Sequence, residues 1–165
     1  MATIDELTRG KLVGLYPPFA EKCKGILKAC QARGLDYYAT SGLRTVDEQN
    51  ALYAQGRTKP GPRVTNAAGG QSFHNWGLAL DVAADANMQR AGLQPNWNEA
   101  GYKILGEEVA KDKMLVWGGT FKSIKDFPHF ELNIGAHKLT LKNLRDIYAK
   151  GGYPAVFKAL DALRW

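Results

Sequence analysis

The segment QSFHNWGLALDVA, residues 71–83, places a histidine and an aspartate inside a largely apolar run. Its second half alternates as a strand does, with Leu78, Leu80 and Val82 on one face and Ala79, Asp81 and Ala83 on the other. One face is suited to a core. The other carries a carboxylate among alanines, which is costly unless the acid is paired or bound to a metal. Gly77 permits a sharp turn between His74 and this strand.

Working outward, the neighbouring segments supply helices and further strands. Thr3-Ile4-Asp5-Glu6 has capping-box spacing and predicts a first helix that stops before Pro17-Pro18. PPFAEKCKGILKACQARG predicts a second helix, opened by proline and closed by Gly34. LDYYATSG suits a short strand, and Thr45-Val46-Asp47-Glu48 repeats the capping box for a helix running to Gly56. Residues 57–73 form a long loop rich in Gly, Pro and Asn, a length usually associated with function or mobility. Asn98 can cap a helix through GYKILGEEVAKD. MLVWGG and DFPHFELNI read as strands, with His129 and Glu131 sharing a face. The remainder reads as two amphipathic helices broken at Gly151-Gly152. Helices, then strands, then helices point to an α+β fold, a small antiparallel sheet flanked by helices.

At 165 residues the chain has the length of one domain. It is read as 1–165, with a core of about 1–137 and a C-terminal helical extension, 138–165, packed on it. No apolar run approaches the roughly 18 residues of a membrane span, so stable membrane insertion is not expected. The N-terminus lacks a secretory pattern, and release by another route is expected. A net charge of +6 favours polyanionic surroundings, including anionic cell-envelope polymers. Nucleic acid is not expected as a partner, because the aromatics do not interleave with the basic residues as a stacking platform requires. Cys23 and Cys30 lie seven residues apart on one predicted helix, roughly 10.5 Å. That exceeds disulfide reach, so both are expected to be reduced and packed.

His74, Asp81 and His129 together form the ligand set of many catalytic zinc sites, two imidazoles and a carboxylate with a position left for water. Spacing alone also allows ordinary hydrogen-bonded core histidines with Asp81 capping a turn. Asp126, stiffened towards His129 by Pro128, has the chemistry to take a proton from water and return it to a leaving amine. Glu131 is placed to do the same, or to orient a ligand imidazole from behind. Arg44 suits a substrate carboxylate or a developing oxyanion, or lies at the surface beyond a strand. His137, in a turn-like stretch, is assigned to the surface.

Three blocks, SGLRTVDEQNALYAQGRTKPG, VTNAAGGQSFHNWGLALD and WGGTFKSIKDFPHFEL, resemble in order and spacing the L-alanyl-D-glutamate endopeptidases. These are a branch of the D-Ala-D-Ala carboxypeptidase-like LAS zinc peptidases, many of them bacteriophage endolysins. The resemblance covers roughly residues 36 to 134. The family's S-x-H-x6-D motif falls on Ser72, His74 and Asp81, its D-x-x-H on Asp126 and His129, and its S-G-x-R on Ser41, Gly42 and Arg44.

The resemblance implies a LAS/hedgehog-like peptidase fold with the zinc site on the sheet face. It implies one Zn2+ per chain on His74, Asp81 and His129, with Asp126 as general base and acid. It places Arg44, Ser72 and Trp117 against substrate, and it makes bacterial peptidoglycan the partner of an enzyme expected to be monomeric. Hydrolysis of the L-Ala–D-Glu amide of the stem peptide follows, in a lytic role after holin-dependent release. A D-Ala-D-Ala carboxypeptidase or dipeptidase shares the same metal set, and a non-catalytic wall-binding module with a structural zinc is the alternative from another class. Many related phage enzymes carry a separate wall-binding domain, whereas about 30 residues follow the matched region here, too few for such a domain.

Overall fold

The computed structural model describes residues 4–85, 95–96, 99–122 and 124–165. Helices α1 (Ile4–Leu12) and α2 (Pro17–Ala32) precede strand β1 (Tyr37–Ser41) and helix α3 (Val46–Ala54). Strands β2 (Ala79–Asp85) and β3 (Pro95–Asn96), helix α4 (Lys103–Val109), strands β4 (Leu115–Trp117) and β5 (His129–Leu132), and helix α5 (Leu141–Asp161) complete the order. Among the described residues the strands form one antiparallel sheet ordered β1-β2-β5-β4, with β3 also pairing with β2.

Local chemistry accounts for most boundaries. Pro17 and Pro18 occupy the first positions of α2, where a missing N–H costs nothing, and Gly34 follows its end at φ +86°. Thr45 and Glu48 form a reciprocal capping box at the start of α3, an arrangement worth about 1 kcal/mol. The expected caps at Thr3 and Asn98 lie outside the described residues. The helix predicted after Asn98 is shorter than its sequence pattern, a 3-10 turn over Glu99–Tyr102 followed by α4.

The apolar face of the sheet makes the core. Leu78, Leu80, Val82, Phe130 and Leu132 are fully buried, and Phe19 of α2 packs against Phe130 with ring centroids 6.1 Å apart. Cys23 and Cys30 lie in the same core as free thiols. The C-terminal residues Leu144, Val156 and Leu160 are equally buried and join that cluster, so α5 packs on the domain. At Gly151 and Gly152 the backbone leaves helical geometry, Gly152 adopting φ 65°, ψ −160°, and α5 is two helical segments set at an angle. His137 departs from its surface assignment. Its ring lies 4.5 Å, centroid to centroid, from Trp165, and its Nε2 is buried. The C-terminal tryptophan folds back over it, a contact that local sequence does not reveal.

No helix among the described residues is long and apolar enough to cross a membrane.

Candidate metal centre

Sheet register brings the site together. Asp81 pairs directly with His129 across β2 and β5, and Ala79 pairs with Glu131, so Asp81, His129 and Glu131 share one face. On the other side of β2 the β1 pairing slips by one residue at Thr40, which sets Ser41 opposite Asp81. His74 arrives from outside the sheet, on a 3-10 turn over Phe73–Trp76. The Ser72 hydroxyl caps this turn by accepting from the His74 N–H, and Gly77 ends it at φ 68°, ψ 31°. A side chain at Gly77 would also strike the Gly14 carbonyl and Leu15, so the turn closes only with glycine there.

His74, Asp81 and His129 each present a ligand atom, and these atoms lie within 4.8 Å of one another. Asp81 Oδ1 sits between them, 3.2 Å from His74 Nε2 and 2.9 Å from His129 Nδ1. Each imidazole engages its remaining nitrogen behind the cluster. His74 Nδ1 donates to the Gly42 carbonyl at 2.7 Å, which turns Nε2 towards Asp81. His129 Nε2 donates to Glu131 Oε2 at 2.7 Å. Ligand histidines held from behind by a carbonyl and a carboxylate are the usual supporting arrangement of metal sites.

The electrostatics agree with that arrangement. Burial by itself would raise the Asp81 carboxyl, but hydrogen bonds from His129 and His74 outweigh it and hold Asp81 well below the usual carboxylate range. Burial would lower His129, yet its bonds to Asp81 and Glu131 push it up to about 10. Positive charge is therefore favoured at this point of the sheet, and a divalent cation supplies it with the matching donor set of two nitrogens and one oxygen.

The cluster opens into a cavity of about 550 Å³ whose walls include Arg44, Ser72, Phe121, Asp126 and Glu131, with Val64, Thr65, Ala67 and Gln71 from the long loop. That loop is ordered by α3: Gln49 Nε2 donates to the Ala67 carbonyl at 2.8 Å and Asn50 Oδ1 accepts from the Gly69 N–H at 2.8 Å. Asp126 stands exposed at the rim. Partial desolvation pushes its carboxyl up, His129 opposes this, and the neighbouring Asp81 charge adds to the rise. The Arg44 guanidinium donates to Gln49 Oε1 and Ser41 Oγ, both at 2.9 Å, and lies 3.9 Å from Asp81 Oδ2.

Trp117 is not brought into the cavity wall. Its ring is wedged between Gly106 and Gly119, and its Nε1 donates to the Phe127 carbonyl at 2.8 Å. It thus holds the Asp126–Pro128 loop from behind. Two buried residues that carry the site were not singled out from sequence. Gln49 connects Arg44 to the long loop, and Asn75 accepts from the Gly70 N–H while donating to the Arg44 carbonyl, each at 2.9 Å. The capping spacing Ser72-x-x-Asn75 was a signal for the second; nothing local marks the first.

Two imidazoles and a carboxylate facing a cleft, with an acid and an arginine at its walls, are the equipment of a metal-dependent hydrolase. Residues 14–113 match the VanY family, described as D-alanyl-D-alanine carboxypeptidase, and the chain belongs to that family of peptidases. It is 38% identical over 125 residues to peptidoglycan L-alanyl-D-glutamate endopeptidase CwlK of Bacillus subtilis (strain 168), an alignment covering 72% of this chain and 73% of CwlK. The crystal structure of the Serratia marcescens L-Ala D-Glu endopeptidase ChiX has the same fold, with a TM-score of 0.58 and 21% identity, covering 81% of this chain and 91% of that one.

Proposed function

We propose that this protein is a zinc endopeptidase that hydrolyses the L-Ala–D-Glu amide bond of peptidoglycan stem peptides. The observation that carries the reading is the His74–Asp81–His129 cluster in a chain so closely related to CwlK. Zinc suits the donor set, and when bound it would polarise the scissile carbonyl and lower the pKa of water from ~15.7 towards ~7.

The remaining roles belong to the chain's own residues. Gly42 and Glu131 keep the two imidazoles in the tautomers and orientations that ligation needs. Asp126, exposed at the rim with a raised carboxyl, accepts the proton of the attacking water and delivers it to the departing amine. Arg44, restrained by Ser41 and Gln49, binds a substrate carboxylate or the oxygen that gains charge during attack. Ser72 lines the same cavity and is assigned to substrate contact. The cationic surface concentrates the enzyme on an anionic wall. The resemblance of the three sequence blocks to phage enzymes extends the reading to a lytic role, with release to the wall by a separate pore.

Digestion of purified sacculi tests the reaction. New N-terminal D-Glu, found by mass spectrometry, abolished by a chelator and restored by zinc, is the expected result. Release of D-Ala instead overturns it in favour of the carboxypeptidase activity that the family description names. Wall binding without cleavage overturns both.

A further inference from the structure

Helix α5 lies outside the residues matched to the family, 14–113, yet its side chains close on the turn that carries His74. The Tyr153 hydroxyl donates to the Asn75 carbonyl at 2.9 Å. The Tyr148 ring meets Trp76 edge to face, centroids 5.4 Å apart. Arg145 Nη1 reaches the Gly70 carbonyl at 3.5 Å, and its side chain fills the space above Gly70. Asn75 and Trp76, the two residues after His74, are almost wholly buried beneath these contacts.

The break in α5 makes this convergence possible. On a continuous helix, residues five apart point roughly 140° away from each other. Across Gly151-Gly152 the rings of Tyr148 and Tyr153 instead meet at 5.0 Å and face the same turn. A single 3-10 turn has few hydrogen bonds of its own, so what presses on it decides where its side chains point.

We infer that the C-terminal helix is a positioning element of the metal centre and that Tyr153, through the Asn75 carbonyl, is the positioning residue that holds His74 Nε2 in register with Asp81 and His129. The inference rests on His74 being a zinc ligand. Removing a group that bonds a ligand histidine directly lowers metal affinity by about 10- to 100-fold in other sites. Tyr153 acts one residue removed from the ligand, so its effect is expected at the lower end of that range.

The test is Tyr153→Phe in the full chain, which removes one hydroxyl and keeps the ring. Zinc affinity is measured by competition with a chromophoric chelator, and the visible spectrum of the cobalt-loaded protein reports ligand geometry. The expected result is zinc affinity about tenfold weaker or more, an altered cobalt spectrum, and kcat reduced with KM little changed. Val156→Ala, which loosens α5 in the core without removing a contact to the turn, is expected to lower the melting temperature and leave zinc affinity intact. Wild-type affinity and spectrum in Tyr153→Phe overturn the inference, as does an equal loss of affinity in Val156→Ala. Should Tyr153→Phe not fold, Arg145→Met carries the same expectation, since it removes the donor to Gly70 and keeps the stem. A wild-type chain that takes up no zinc sinks the functional reading itself, whereas wild-type zinc binding with an indifferent Tyr153→Phe sinks only the role of α5.

Discussion

Asp81 and His129 face each other across adjacent antiparallel strands, and His129 Nδ1 lies 2.9 Å from Asp81 Oδ1. The pairing gives both side chains one face of the sheet, and His74 meets them there from the turn before β2. Ligation and proton transfer are assigned to different residues, so they separate by mutation.

Asp126→Ala is expected to keep one zinc per chain and lose about 10²- to 10⁴-fold in kcat, the usual contribution of a general acid–base group. His74→Ala is expected to lose both the metal and the activity. Metal analysis of dialysed protein alongside sacculus digestion checks the split; loss of zinc in Asp126→Ala would place that residue among the ligands.

Glu131→Gln removes the carboxylate behind His129 while leaving an amide of the same shape. Zinc affinity is expected to fall by about 10- to 100-fold, with the fold retained. Competition with a chelator measures this, and unchanged affinity would assign Glu131 to charge balance alone.

Zinc that binds only the folded chain stabilises it by mass action, about 2.7 kcal/mol at a hundredfold excess over Kd. Melting with zinc and with chelator is expected to show a higher midpoint in zinc for the wild type and none of that gain for Asp81→Asn. An equal gain in that variant would locate the bound zinc elsewhere.

Gly118 touches the backbone of Asp126, and a methyl group there would run into the Asp126 carbonyl oxygen. Gly118→Ala is expected to cost about 1–3 kcal/mol, as overpacking does, and to displace Asp126, so activity falls further than stability. Urea unfolding and kcat on the same preparation measure both quantities.

The two thiols predict an alkaline dependence. Burial pushes Cys23 well up, and burial with the charge of Glu108 pushes Cys30 up to about 12. Above the unfolded value of about 8.5 the unfolded chain has fewer thiol protons than the folded one, so stability is full below that pH and declines as pH rises through it. The slope is about 1.4 kcal/mol per pH unit for each thiol until the folded value is reached. Urea unfolding at pH 8 and pH 10, compared with a Cys23→Ala/Cys30→Ala variant, isolates the contribution; identical pH slopes would show that the thiols ionise freely in the native state.

Much of this was readable along the chain because it depends on neighbours in sequence. Alternation in LALDVA and HFEL assigned Asp81, His129 and Glu131 to faces, and the capping box at Thr45 and the glycine pair at 151–152 marked helix boundaries. Side-chain chemistry and position marked Asp126 and Arg44, and the resemblance carried by the three blocks added Ser72. Gln49 was passed over because a glutamine on a short helix carries no local sign that it will be fully buried. The resemblance placed Trp117 against substrate, whereas its ring packs between Gly106 and Gly119.

By itself the sequence determined which residues share a face, where helices start and stop, and which side chains can bind a metal or move a proton. Those properties follow from backbone periods of 2 and 3.6 residues and from side-chain chemistry. Only the tertiary structure decided that Asp81 pairs with His129 rather than with a residue one step along, that the slip at Thr40 sets Ser41 opposite Asp81, and that α5 folds back onto the His74 turn. Strand register and helix docking are selected by the packing of the whole core, and a one-residue slip between β2 and β5 would turn His129 and Glu131 to the opposite face.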